Sequence, residues 1–321
     1  QRQMCIRDSD ETSRFNKVAF PGKNTPILEI VDFLNARARE NQWGFVDFNR
    51  PMVAINQWEQ AEDSMYTLCG KDRIHPSTDG HLVMAYLFLK AQGLAGKPVA
   101  DIRIDGAGKK VTRSDNCRVS DLSVSSDNLT FTYEAKSLPY PIDTSYYDNE
   151  KHTQADALSV IPFMDEMNYE GLSVSGLSDG YYGLTIGGEF IGRFTARELE
   201  RGINMALLQN TPQYKQAMKI RQMNEERWLK ERKMREFYWV EYNLMRKTGM
   251  LWACNEAAVD TLRKYRPHDI FLQWNGDLWL QYMHKGIRED CVNEQQDLVN
   301  QIYEQNKPIP LRIEIKKFTD L

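Results

Sequence analysis

The period of the hydrophobic pattern changes twice along the chain, and those changes limit the folds open to it. Up to about residue 95 apolar side chains recur at spacings of three and four; residues 99–135 alternate with a period of two; from residue 195 the helical spacing returns. No fold built from one kind of element fits that text. Three segments are expected: 10–95 with mixed helix and strand, 96–194 as a β-rich module, and 195–321 as a helical extension ending in a strand. With 321 residues, 41% of them hydrophobic, the chain can bury a substantial core. Residues 1–9 (QRQMCIRDS) carry no periodicity and no initiator methionine. They are read as a non-native leader outside the fold.

Within the first segment, Ile27, Leu28, Ile30, Val31, Leu34 and Ala38 form a helix stripe that Asn24 or Thr25 can cap. Residues 43–48 (WGFVDF) read as a short buried strand, and 49–71 as a polar surface loop. After Pro76, Ser77 or Thr78 sits at an N-cap, and Leu82, Ala85, Tyr86 and Leu89 give the apolar face of a helix ending near Gly93. Residues 99–135 predict three or four antiparallel strands, and 137–156 an exposed connection. Further strands follow around Leu172, Tyr182 and Phe190, with Gly187 and Gly188 as a hairpin turn. Thr195 and Glu198 fit a capping box. A long helix over 211–247 and two or three more over 251–306 precede LRIEIKKF, an alternating strand able to pair with the earlier β-module.

The chemistry-bearing stretch is Asp72-Arg73-Ile74-His75-Pro76, with Asp79, Gly80 and His81 just behind it. A histidine takes a proton from a serine hydroxyl efficiently when a carboxylate fixes its tautomer and stabilises the imidazolium. Two intervening residues in a tight turn ahead of a helix let Asp72 reach back to the His75 ring. In the order helix, hydrophobic strand, loop, DxxHP and amphipathic helix, residues of about 20 to 95 resemble the closing part of the SGNH, or GDSL-like, serine esterases.

That resemblance implies an α/β fold: the C-terminal part of a flavodoxin-like three-layer α/β/α hydrolase domain, followed by the antiparallel β-module and helical region. It implies His75 and Asp72 as catalytic residues, no cofactor, and hydrolysis of acetyl or acyl esters, carbohydrate esters among them, through an acyl-serine intermediate. A secreted or periplasmic location goes with it. The family's Gly-Asp-Ser turn and oxyanion-hole residues belong upstream, so the chain is expected to be N-terminally truncated and inactive alone. Asp8-Ser9 is rejected as that turn: Arg7 stands where glycine is needed, and too little chain separates Ser9 from Asp72.

Other classes are disfavoured. A net charge of −4 supplies no field to gather nucleic acid. No apolar run approaches a membrane span. The five cysteines are scattered without a CxxC pair, and His152, His268 and His284 have no acidic or cysteine partners at ligand spacing, so no metal is expected. His81 and Arg73 read as bland surface or supporting residues. Residues 106–110 (GAGKK) lack the remaining phosphate-loop positions. Between Lys215 and Lys247 the charges alternate around an apolar stripe of Ile220, Met223, Met234, Phe237, Val240 and Leu244, as in a packing helix. Trp252, Trp274, Trp279 and Tyr282 are core residues by default and a sugar-stacking platform by the alternative. The competing functional class is a non-catalytic carbohydrate-binding or interaction module built on residues 96–321.

Overall fold

The computed structural model describes residues 10–15, 21–70, 73–145 and 152–318. It divides into one unit formed by Gln1–Thr211 with Pro310–Leu321 and a second formed by Pro212–Ile309. The helical unit thus begins at Pro212, later than Thr195, and the chain returns from it into the first unit.

The first unit opens with α1 (Asn24–Asn41), α2 (Asn49–Glu59) and α3 (Thr78–Ala91). Residues 43–48 are unpaired, and Trp43 keeps 66% of its surface exposed. An extended segment becomes a strand only where a neighbour takes its backbone hydrogen bonds, and no neighbouring strand lies among the described residues. The parallel sheet expected of a three-layer domain is likewise not among them in 10–95. The supposed loop contains α2. Its inward face is Asn49, Met52 and Asn56, all essentially buried, so two of its three core-facing residues are polar and the stripe is invisible by hydropathy. Each amide is engaged: Asn49 Nδ2 donates to Asn24 Oδ1 at 3.0 Å, and Asn56 Oδ1 accepts the Leu68 N–H at 2.9 Å. The N-terminus of α1 is capped by Glu11, which accepts from the backbone N–H of Asn24 at 2.8 Å, rather than by Asn24 or Thr25 themselves.

The β-rich part contains β1 (Ala100–Asp105), β2 (Lys110–Asp115), β3 (Cys117–Val124) and β4 (Asn128–Ala135). A short helix α4 (Phe163–Glu166) leads to β5 (Glu170–Ser175), β6 (Tyr181–Ile186), β7 (Glu189–Thr195), helix α5 (Ala196–Arg201) and the two-residue β8 (Ile203–Asn204). Gly187 and Gly188, both at positive φ, turn β6 into β7. The Thr195–Glu198 capping box starts α5. One sheet runs β2-β1-β5-β8, with β1 and β5 parallel, so the expectation of antiparallel pairing throughout fails there. The crossover between β1 and β5 carries the other sheet's first strands and α4, the length a parallel pair requires.

The last strand, β9 (Leu311–Lys317), lies inside the second sheet, β3-β4-β9-β6-β7, pairing antiparallel with both β4 and β6. Its inward residues Leu311, Ile313 and Ile315 join Ile102, Leu172, Phe131 and Leu184 in one core shared by both sheets. A separate core gathers Met52, Leu68, Leu82, Val83 and Tyr86 with Ile142, Ala157 and Phe163. The 137–156 connection is therefore not simply exposed: Ile142 and Asp143 are buried, and Thr153 caps a 3₁₀ turn over Gln154–Ser159.

The second unit holds α6 (Pro212–Val240), which runs into a π-helical turn over Glu241–Met245, then α7 (Glu256–Tyr265), α8 (Ile270–Tyr282) and α9 (Lys285–Gln305). Met234, Phe237, Val240 and Leu244 of the anticipated stripe pack with Leu262, Leu272 and Trp279. No helix among the described residues is long and apolar enough to cross a membrane.

Because β9 is central and Ile313 fully buried, Ile313→Ala is expected to destabilise the first unit by about 3 kcal/mol. Urea unfolding followed by tyrosine and tryptophan fluorescence measures it; a midpoint unchanged from wild type would contradict the placement of β9.

Candidate active site

The α3 N-terminus is built against residues 67–70. Ser77, in extended backbone, is the N-cap; its N–H donates to the Leu68 carbonyl at 2.9 Å, and its hydroxyl to the same carbonyl and to Asp79. Gly80 packs so closely on Leu68 that an added Cβ would collide with the Leu68 carbonyl oxygen. Only glycine fits. Upstream, the Gly70 N–H donates to the His75 carbonyl at 2.7 Å, the Arg73 N–H donates to the Gly70 carbonyl at 3.0 Å, and Cys69 bridges Pro76. Gly70 and residues 73–76 are thereby held together just ahead of the helix.

Arg73 takes the left-handed conformation, φ 60°, which costs a non-glycine residue about 1 kcal/mol. Its side chain holds it there. The guanidinium is 1% exposed, lies 3.2 Å from the Asp10 carboxylate, and donates to the carbonyls of Ser13 (2.7 Å) and Asp10. Asp10 in turn accepts from the N–H groups of Thr12 and Ser13 at 3.0 and 3.1 Å and from Gln60 at 3.0 Å. Burial alone pushes the Asp10 carboxyl up, but hydrogen bonds from Thr67, Thr12 and Ser13 and the Arg73 charge outweigh it and leave it below the ordinary carboxylate range. The bland reading of Arg73 thus missed the most buried cation of this unit's described residues. Nothing local in the sequence pairs it with Asp10, 63 positions earlier.

His75 sits on this loop with its side chain exposed, directly before α3. Asp72, its expected partner, lies outside the described residues. His81 is exposed on α3.

A carboxylate–imidazole pair is present that spacing did not reveal. His152 Nδ1 lies 2.5 Å from Asp79 Oδ2, across 73 positions. Asp79 is fully buried, its other oxygen engaged by the Ser77 hydroxyl and the Gly80 N–H at 2.7 Å, and the Tyr66 ring tilts against His152 at 5.5 Å. Burial, with the charges of Asp79, Glu59 and Asp156, pushes the Tyr66 phenol well above its usual value, keeping it a neutral wall. In the helical unit Cys254 Sγ lies 3.3 Å from His284 Nδ1, a contact equally invisible in the spacing. Among the described residues no group of three or more His, Cys, Asp or Glu is arranged to hold a metal ion.

Residues 218–307 match a family described as the diltiazem deacetylase C-terminal helical domain. A solved structure described as BT4096, a gut microbial diltiazem-metabolizing enzyme, matches with a TM-score of 0.90 and 41% sequence identity, covering 97% of this chain and 71% of that one. No match is found among curated proteins.

The lowered Asp10 pKa has a defined pH signature. The pair's contribution is complete above the unfolded carboxylate value of about 4 and is lost as pH falls through the lower folded value. Asp10→Asn leaves Arg73 buried without its counter-charge and is expected to cost about 3 kcal/mol at neutral pH while flattening the acid limb of the stability curve. Denaturation midpoints between pH 2 and pH 7, values set by the flanks of about 4, check this; an acid limb identical in both proteins would place the effect elsewhere.

Proposed function

The chain belongs to the family of the diltiazem-metabolizing enzyme that it matches over 97% of its length, and from that premise we propose that it is an ester hydrolase of the SGNH type. The reaction is removal of an acetyl or similar acyl group from an alcohol oxygen. The substrate class is a small molecule or carbohydrate ester, by analogy with the deacetylation that the helical-domain family is named for.

The observation that carries the reading is the presentation of His75. Its imidazole is exposed on a loop closed by the Gly70 N–H and pinned by a buried arginine, while the backbone around it is fixed by α3. A general base needs that combination of access and rigidity. In the proposed mechanism His75 accepts the proton of a serine hydroxyl as the oxygen attacks the ester carbonyl. Asp72 holds the ring and stabilises the imidazolium. His75 then returns the proton to the departing alcohol, and water repeats the sequence to free the acid. No residue of this chain is assigned as the serine or as an oxyanion-hole donor; the chain covers 71% of the matched structure's length. No step requires a cofactor.

A second assignment is favoured by the 2.5 Å contact of Asp79 with His152, which has the geometry of a base and its orienting carboxylate. Against it, Asp79 Oδ1 is already committed to building the start of α3, which ties the carboxylate to the helix. The pair is better suited to tying the connection after β4 onto that helix.

The two readings separate when the active protein is assayed with p-nitrophenyl acetate. His75→Ala is expected to lower kcat by about three decades or more, and His152→Ala by less than about tenfold. Loss in His152→Ala with retention in His75→Ala would move the base to His152, and retention in both would end the esterase assignment of this region.

A further inference from the structure

The helical unit holds a carboxylate that packing alone does not require. Glu241 is 1% exposed at the first position of the π-helical turn, and its two oxygens accept from the indole N–H of Trp279 and the backbone N–H of Trp252, each at 2.8 Å. Trp279 is core. Trp252 is not: it stands in the left-handed conformation, φ 63°, and keeps 46% of its surface exposed. Strain held in place by a buried charge, next to a π-turn, is a pattern associated with function.

The indole of Trp252 is backed by Phe237, stacked at 6.3 Å, and edged by Tyr238 and Tyr242, both near perpendicular at 5.9 and 5.8 Å. Both tyrosines are exposed. Tyr238 also lines an open groove of about 540 Å³ whose polar residues are Lys285, Arg288, Glu289, Asp290 and Asn293. Arg288 joins the two features: its guanidinium lies 4.8 Å from the Phe237 ring and is anchored by the carbonyls of Tyr282 and Met283 at 2.6 and 2.8 Å.

We propose that Trp252, Tyr238 and Tyr242, together with the groove between α6 and α9, form a binding site for a neutral oligosaccharide. The polar lining contains two cations and two anions, so it offers no net field for a charged ligand. It does offer donors and acceptors side by side, with Arg288 anchored and Lys285 3.1 Å from Glu289, which suit vicinal hydroxyls. The aromatic faces take the apolar C–H face of a sugar ring, and the groove volume falls in the range of small-ligand sites. The site is independent of the ester chemistry proposed above.

Titration of the intact chain with xylohexaose, cellohexaose, mannohexaose and maltohexaose, followed calorimetrically and by tryptophan fluorescence, tests it. At least one is expected to bind, with Trp252→Ala and Tyr242→Ala each weakening it about tenfold or more. Trp274→Ala, in the separate patch with Phe271 and Trp239, is expected to leave affinity within about twofold. Should Trp252→Ala fold poorly, Asn293→Ala in the groove is expected to show the same loss with the aromatic cluster intact. Absence of binding by all four sugars, or affinity undiminished in folded Trp252→Ala or Asn293→Ala, overturns the proposal.

Discussion

A guanidinium removed from water is tolerated only where its charge and donors are met by the protein. The charge of Arg73 is met by the Asp10 carboxylate, and its two terminal nitrogens donate to backbone carbonyls from residues 10–15. The consequences spread outward. Asp10 cannot leave without stranding the cation, so the 10–15 segment is fixed and Glu11 is available to cap α1. Arg73 is held in its left-handed backbone, so residues 73–76 keep one shape. The His75 side chain is therefore carried outward at a set place while the chain enters α3, whose own start is fixed by the contact of Gly80 with Leu68. Access to solvent and positional rigidity usually oppose one another; here a buried ion pair supplies the rigidity beneath an exposed imidazole.

The parts of this fold legible in the sequence are those decided by near neighbours. The Thr195–Glu198 capping box, the Gly187-Gly188 turn and the alternation of Leu311, Ile313 and Ile315 are local patterns with local causes. The packing stripe of α6 belongs with them. Where the deciding interaction was distant or polar, the text was silent. Helix α2 hides because Asn49 and Asn56 face inward. The Arg73–Asp10 and Asp79–His152 pairs join positions more than sixty apart, and no spacing rule reaches that far. Residues 43–48 show the converse error: their composition favours a strand, but strand formation is settled by a partner.

At the candidate site, the sequence singled out the loop, and the structure adds why that loop is rigid. Asp72 lies outside the described residues, so the role proposed for it rests on the DxxHP pattern. The helical unit offers a parallel: Glu241, buried and twice engaged, fixes Trp252 much as Asp10 fixes Arg73. In both units one carboxylate with no solvent contact stabilises an unfavourable backbone conformation that presents a side chain at the surface.

The central claim is that His75 serves as the base for an ester-cleaving serine. A crystal structure of the active protein, inactivated with an organophosphonate that bonds covalently to the nucleophile, addresses it directly. The account places one ring nitrogen of His75 within about 3 Å of the phosphonylated serine oxygen, with Asp72 on the other ring nitrogen. A label flanked by His152, or by no histidine, contradicts it.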